Sequence, residues 1–169
     1  MRFSMNDSVD IQPATDRRAR TRREIKQLIT ERNEVLALYC SLAGCDGSKI
    51  SSADDIDGET LQEFCQLLID YIATGHFELY SRISEGKERR NEIIKLANTI
   101  YPRIEKTTSL AVEFNDNYDA ANTFSAELKN KLPQELSKLG EELATRIELE
   151  DQLINTLLTP ATESEAILQ

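Results

Sequence analysis

The sequence is poor in several residue types that carry chemistry: its 169 residues include no tryptophan, one histidine and three cysteines. The single histidine, His76, excludes the paired Glu-x-x-His ligands of a di-iron helical bundle. The sequence also lacks the glycine-rich phosphate loop, the dinucleotide-binding glycine motif and the G-x-S-x-G nucleophile motif. No run of about 18 apolar residues is present, so no membrane span is predicted. We therefore expect no catalytic activity, no metal, no cofactor and no membrane association.

The three cysteines, Cys40, Cys45 and Cys65, are scattered and form no C-x-x-C pair. Because Cys40 and Cys65 fall among apolar residues, we interpret them as reduced thiols that pack as small hydrophobic side chains. The N-terminal segment carries acidic residues and has no apolar stretch, so it does not resemble a secretion signal. Both observations favour a cytoplasmic protein.

The net charge of −10 is unevenly distributed along the chain. Five arginines crowd into seven positions: Arg17, Arg18, Arg20, Arg22 and Arg23. From Glu24 onward, the chain has 14 lysines and arginines and 27 acidic residues, which gives a net charge of −13. A body this acidic repels nucleic acid and favours a basic protein partner, so we expect no direct contact with nucleic acid. We interpret the arginine cluster as a basic arm at the entry to the first helix rather than as a phosphate site.

Apolar side chains recur every three or four residues, which is typical of helices that bury one face. This periodicity predicts four helical stretches, from about Thr21 to Ala43, Asp57 to Ser84, Lys87 to Tyr118 and Phe124 to Leu158. A chain of this length forms one domain, so we predict an all-α antiparallel bundle of these four helices. Residues 1–20 are expected to form a flexible basic arm, residues 21–158 the bundle domain, and residues 159–169 a tail.

Individual residues predict where these helices begin, end or bend. Asp57 is a good N-cap for the second helix, and Gly44 is suited to end the first because glycine tolerates a left-handed backbone. Pro102 lacks an amide hydrogen and should kink or split the third stretch. Pro133 either separates a short helix from a long one or lies in the first turn of the long one.

The second helix carries an unusual apolar residue on its polar side. At about 100° per residue, one set of side chains forms a core-facing stripe. This set is Leu61, Cys65, Leu68, Ile72, His76, Leu79 and Ile83. The opposite face holds Leu67, Asp70, Thr74, Phe77 and Ser81. A phenylalanine pointing away from the core is typical of a docking surface, although a further helix covering this face would explain it equally well.

Two charged residues interrupt the apolar stripes of other helices. Arg32 lies at the centre of the first stripe, and Glu150 lies in a fourth stripe that includes Leu143, Ile147 and Ile154. A buried charge must be paired or it costs several kcal/mol. We therefore expect Arg32 and Glu150 to meet inside the bundle, with His76 or Asp151 as further partners. Their role is expected to be structural, fixing the register of the helices.

The segment Phe64 to Tyr80, FCQLLIDYIATGHFELY, closely resembles the signature F-C-Q-x-L-V-D-Y-L-S-A-G-H-F-x-x-Y of the Rsd/AlgQ family of bacterial anti-sigma factors. The resemblance continues into LALYCSLAG at 36–44, IYP at 100–102 and LEDQLI at 149–154, and so spans about Ile25 to Leu158. It implies a helical bundle that binds the primary sigma factor and regulates transcription in stationary-phase bacteria.

The resemblance also implies which residues contact the partner. Matched position by position, these are Asp70, Thr74 and Phe77, with serine in place of Thr74 in relatives. The partner it implies is region 4 of the primary sigma factor, a helix-turn-helix module with a basic DNA-reading surface. We add Leu67 and Ser81 as candidate contacts because the helical wheel places them on the same face.

One departure from the family pattern falls near the start of the first helix. Relatives read D-R-W-L there, whereas this chain has Lys26-Gln27-Leu28-Ile29. Two function classes therefore stay open: an anti-sigma factor that masks region 4, or a regulatory adaptor whose main partner is a signalling protein such as a phosphotransferase carrier or an alarmone enzyme. An enzyme or a metal-binding bundle is the third and weakest interpretation. A monomer or weak self-association is expected.

Overall fold

A computed structural model describes residues 13–44, 56–84, 86, 88–119 and 125–159 of the chain. Five α-helices and one π-helical segment account for nearly all of these residues. They are α1 (Pro13–Ala43), α2 (Gly58–Thr74), the π segment (Gly75–Tyr80), α3 (Ser81–Ser84), α4 (Asn91–Tyr118) and α5 (Ala126–Leu158). Because α2, the π segment and α3 follow one another without a gap, they form one continuous helical stretch. The all-α prediction of four main helices is confirmed.

Side-chain contacts show that neighbouring helices run in opposite directions. The ring of Tyr39 near the end of α1 lies 6.2 Å from that of Phe64 near the start of α2, and Phe64 lies 6.0 Å from Phe114 near the end of α4. The Tyr118 hydroxyl at the end of α4 donates a 2.7 Å hydrogen bond to the Leu128 carbonyl in the first turn of α5. The Arg90 guanidinium at the start of α4 reaches the carbonyls of the last turn of α5. The four stretches therefore form an antiparallel bundle.

The bundle encloses one apolar core to which every main helix contributes. Its fully buried side chains include Leu28 of α1, Phe64 and Leu68 of α2, Ile104 of α4 and Leu153 of α5. Cys65 is buried as a free thiol and its burial raises the pKa to about 12, while Cys40 is half-buried. Cys45 and the segment 45–55 lie outside the described residues. Within the described part of the chain, no helix is long and apolar enough to cross a membrane.

The predicted start of the first helix at Thr21 is wrong by eight residues, because α1 begins at Pro13. Proline is tolerated in the first helical turn, Asp16 places a carboxylate there, and arginine is a good helix former. Arg20 also pairs with Glu24 one turn later, at 2.8 Å. The C-terminal half of the expected basic arm is therefore helical. Residues 1–12 and 160–169 lie outside the described residues.

The two internal prolines do not interrupt their helices. Pro102 lies inside a continuous α4, so the predicted split does not occur. Pro102 and Asn98 are both exposed, so water can bind the Asn98 carbonyl that Pro102 leaves without an amide donor. Pro133 lies in the third turn of a continuous α5, which contradicts both predictions for it. The predicted caps are confirmed: the Asp57 carboxylate accepts from the Thr60 amide, and Gly44 has φ of 77°.

A close approach between α1 and α5 depends on Gly140. The Tyr39 hydroxyl donates a 2.9 Å hydrogen bond to the Leu136 carbonyl, and the phenol ring crosses α5 at Gly140. A Cβ atom at position 140 would lie 2.0 Å from the Tyr39 hydroxyl oxygen and 2.5 Å from Cζ. Glycine is therefore required here for packing.

We predict that Gly140→Ala destabilises the protein. Replacing glycine by alanine inside a helix normally stabilises it by about 1 kcal/mol. The clash with Tyr39 should reverse the sign and cost about 1–3 kcal/mol net, as overpacking does elsewhere. Urea unfolding of both proteins measures this difference.

Ala144→Gly, at an exposed position one turn further along α5, is the control. It should cost about 1 kcal/mol by helix propensity alone. A Gly140→Ala protein more stable than the wild type would show that Tyr39 does not need this space.

Candidate protein-binding surface

The signature segment is not a regular α-helix throughout. Between Gly75 and Tyr80 the helix widens into a π-helical turn, and the Ser81 amide donates to the His76 carbonyl five residues earlier. A single π turn within an α-helix inserts one extra residue and is frequent at functional sites. The extra residue shifts the side chains at the end of the turn, so Tyr80, which a regular helix would turn away from the core, is buried.

The prediction that His76 faces the core is wrong, because the buried face of this stretch is centred on Phe64, Tyr71 and Gly75 and leaves His76 at its edge. A regular helix would place His76 one turn after the buried Ile72, but its side chain is exposed, and Gly75, Leu79 and Tyr80 are buried instead. The imidazole packs edge-on against the ring of Phe77, with 5.0 Å between ring centres. His76 is therefore part of the surface and takes no part in a buried polar network.

Phe77 is the most exposed large apolar residue in the described part of the chain. Its side chain is 69% exposed, against 44% for Leu158 and 39% for Val112. No described helix covers it, so the alternative of a covering helix does not hold within these residues. An aromatic ring exposed to this extent is available to a partner protein.

The other predicted contact residues lie along the same face, at three- and four-residue spacing. Asp70 is exposed and accepts a 3.1 Å hydrogen bond from Gln66, while Thr74 is half-buried. Leu67 is half-buried against the core, and the Ser81 hydroxyl donates a 2.9 Å bond to the Phe77 carbonyl. Leu67, Asp70, Thr74, His76, Phe77 and Ser81 are together called the Phe77 surface below. Leu67 offers only an edge to a partner, so Phe77 provides most of the apolar area.

Charged side chains border the Phe77 surface where α3 meets α1. The Arg82 guanidinium binds the Glu24 carboxylate and donates a 2.7 Å hydrogen bond to the Thr21 hydroxyl. Glu78 lies beside Glu24, and burial together with that carboxylate raises the pKa of Glu78, against the effect of Arg20 and Arg82. This cluster fixes the end of the signature stretch against α1 and so holds the backbone that carries Phe77.

An acidic groove lies on the other side of the same surface, between α2 and α4. It is open, has a volume of about 560 Å³, and is lined by Glu59, Glu63 and Gln66 from α2 and by Asn115 and Asp119 from α4. Gln66 connects it to Asp70 through their hydrogen bond. No group of three or more potential ligand side chains within the described residues is arranged to hold a metal ion. The groove is suited to basic side chains of a partner.

The buried charges behave largely as expected from the sequence. The Arg32 guanidinium donates a 2.8 Å hydrogen bond to Asp151 and lies 3.8 Å from a Glu150 carboxylate oxygen. Glu150 is fully buried, and it also accepts a hydrogen bond from the Tyr71 hydroxyl. Burial raises the pKa of Glu150, while the neighbouring Arg146, Tyr71 and Arg32 act in the opposite direction. His76 has no part in this cluster.

Sequence reasoning missed the central cation of the cluster, Arg146. It is 1% exposed, and its Nε atom lies 3.3 Å from Glu150. Its Nη1 atom donates to the hydroxyls of Thr107 and Thr108 at 3.1 and 2.7 Å. The sequence does contain a pattern that points to Arg146. Buried positions of α5 recur at alternating three- and four-residue steps, and both Arg146 and Glu150 fall on them. These positions are Leu132, Leu136, Leu139, Leu143, Arg146, Glu150, Leu153 and Leu157, and Ile154 beside Leu153 is buried as well.

Arg146 also packs against Gly75 of the signature. Its guanidinium lies over the rings of Tyr71 and Tyr80, 5.5 and 6.0 Å from their centres. A Cβ atom at position 75 would lie 3.3 Å from Arg146 Nη2, which is tighter than ordinary contact. The buried cation therefore occupies the space next to the start of the π turn.

We predict that Arg146→Met destabilises the protein by about 3–5 kcal/mol, because it leaves Glu150 as a buried carboxylate without its closest cation. Adding Glu150→Gln should restore part of this loss, since the buried charge is then removed. Denaturant unfolding of the two single variants and the double variant closes the cycle. Additive losses would contradict the assignment of Arg146 and Glu150 as an interacting pair.

Comparison with known proteins connects this architecture with a family. The model of the family described as "Regulator of RNA polymerase sigma(70) subunit, Rsd/AlgQ" matches residues 9–158. The chain is 34% identical over 131 residues to the "Regulator of sigma D" of Yersinia pestis, covering 77% of this chain and 76% of the relative. It is 31% identical over 144 residues to the protein of that name from Enterobacter sp. (strain 638), covering 85% and 86%. No solved structure matches the chain.

The match covers every main helix of the bundle, including the π segment and the Phe77 surface. It agrees with the resemblance that the signature segment predicts. The chain therefore belongs to the Rsd/AlgQ family of regulators of the RNA polymerase sigma(70) subunit.

Proposed function

We propose that this protein is an anti-sigma factor that binds region 4 of the primary sigma factor through the Phe77 surface. Bound there, it would mask the helix-turn-helix module and keep the sigma factor from RNA polymerase core or promoter DNA. The observation that carries the proposal is the exposure of Phe77 on the family's signature stretch, in line with Asp70 and Thr74. Membership of a family of sigma(70) regulators supports the choice of partner.

Binding would combine burial of the Phe77 ring with attraction between nearby acidic side chains and a basic partner. Burying the Phe77 ring in a partner removes a large apolar surface from water, which is the usual role of an interface hot spot. Asp70 and the acidic groove beside it would attract the basic surface that region 4 uses for DNA. The action is stoichiometric masking in the cytoplasm, with no catalytic step.

The binding surface is held by rigid neighbours, which favours docking without a large rearrangement. Leu79 and Tyr80 of the same π turn are buried in the core, and Arg82 ties α3 to Glu24 of α1. A side chain on such a backbone loses less conformational freedom on binding than one on a mobile loop.

We predict that Phe77→Ala weakens binding to isolated sigma region 4 by about 2 kcal/mol or more, the range of interface hot spots. Its stability should stay nearly unchanged, because an exposed ring loses little when it is truncated. Asp70→Ala and Thr74→Ala should weaken binding less, since they lie one or two turns from the anchor. Calorimetric titration and urea unfolding measure the two quantities.

Two alanine variants serve as controls. Val112→Ala removes another exposed apolar side chain, on α4, and should change neither binding nor stability. Leu79→Ala removes a buried side chain of the same π turn and should destabilise the fold by about 2–5 kcal/mol. Unchanged affinity of Phe77→Ala would contradict the proposed site. No binding of region 4 by the wild type would leave the adaptor role, with a signalling protein as partner, as the better account.

A further inference from the structure

The N-terminal part of α1 extends beyond the body of the bundle. Every described side chain from Asp16 to Arg20 is exposed, a stretch longer than one helical turn, and Arg22 and Arg23 are exposed as well. The first fully buried side chain of α1 is Ile25. Residues 13–23 are called the basic tip below. With a rise of about 1.5 Å per residue, the eight residues before Thr21 extend about 12 Å.

The arrangement of side chains confirms that the core ends before the tip. Arg18 lies in line with the core-facing positions Thr21, Ile25 and Leu28, at the same three- and four-residue spacing. Thr21 is half-buried and binds Arg82, whereas Arg18 is exposed. No other described helix therefore packs against the tip at this point, even on the side that faces the core further along α1.

The positive charge of the tip is not neutralised within the described protein. Arg20 pairs with Glu24, but no ion pair joins Arg17, Arg18, Arg22 or Arg23 to another described residue. The four arginines therefore leave positive charge available to an anionic partner.

The directions of the arginines indicate the shape of that partner. At about 100° per residue, Arg17, Arg18, Arg22 and Arg23 point at about 0°, 100°, 140° and 240° around the axis. An acidic protein face would contact one side of such a helix only. The major groove of B-DNA is about 12 Å wide, admits an α-helix, and has phosphates on both walls.

We propose that the basic tip binds duplex DNA without sequence preference, lying in the major groove with its arginines on the phosphates of both strands. The acidic body, with its net charge of −13 from Glu24 onward, would be repelled by DNA and would confine the contact to the tip. The expectation of no contact with nucleic acid came from the charge of the body and does not extend to a helix that projects from it. This DNA contact is separate from the Phe77 surface and does not depend on sigma binding.

The experiment is a fluorescence anisotropy titration of a labelled 20-base-pair DNA duplex with the full chain, at 50 to 200 mM salt. With four phosphates neutralised, the logarithm of affinity should fall against the logarithm of salt with a slope of about −4. The variant Arg17→Gln/Arg18→Gln/Arg22→Gln/Arg23→Gln should bind about tenfold more weakly or worse at 50 mM salt, with a slope near zero. Circular dichroism checks that the variant keeps its helices.

A charge-matched variant separates the tip from the overall charge. Arg89→Gln/Lys95→Gln/Lys106→Gln/Lys138→Gln removes four exposed cations elsewhere and should retain most of the DNA binding. Duplex RNA, whose deep and narrow major groove does not admit a helix, should bind more weakly than DNA.

The proposal is overturned if the wild type does not bind DNA, or if the two quadruple variants bind alike. Equal or tighter binding of poly-glutamate would instead assign the tip to an acidic protein partner, and salt-sensitive self-association in light scattering would assign it to a second copy of the chain.

Discussion

The buried ion pair between Arg146 and Glu150 connects the whole bundle. Through it α5 reaches the Thr107 and Thr108 hydroxyls of α4, the Tyr71 hydroxyl of α2, and Arg32 of α1. A charge pair excluded from water must have each polar atom satisfied, which restricts how the helices can slide or rotate. Leucine contacts alone would permit several similar packings. We infer that this cluster fixes the register of the four helical stretches.

The same cluster is connected to the surface that we propose for partner binding. The Arg146 guanidinium lies over Tyr80 and against Gly75, the last and first residues of the π turn. That turn buries Gly75, Leu79 and Tyr80 and leaves His76 and Phe77 outside. The same turn therefore leaves space for a large buried cation on its inner side and exposes an aromatic ring on its outer side. Through Gly75, the turn that carries Phe77 therefore packs against the buried cation.

The sequence predicts most of the fold and part of the site. Apolar periodicity locates every main helix, the Asp57 cap follows from residue type, and the exposure of Phe77 follows from the helical wheel. The wheel fails at His76 because the predicted stripe left out Phe64, Tyr71 and Gly75, which centre the buried face away from His76. The sequence analysis also makes no prediction for Arg146, although it lies in the buried stripe of α5. The helical tip was missed because arginine-rich segments lack the apolar periodicity that reveals a buried face.

The central claim is that region 4 of the primary sigma factor docks on the Phe77 surface. Amide hydrogen exchange of the full chain, with and without isolated region 4, tests it without altering any residue. The account predicts slower exchange on binding for peptides that cover residues 70–84 and for the part of α4 around Asn115 and Asp119 that lines the acidic groove. Protection confined to other parts of the chain, with residues 70–84 unchanged in the bound state, would contradict it.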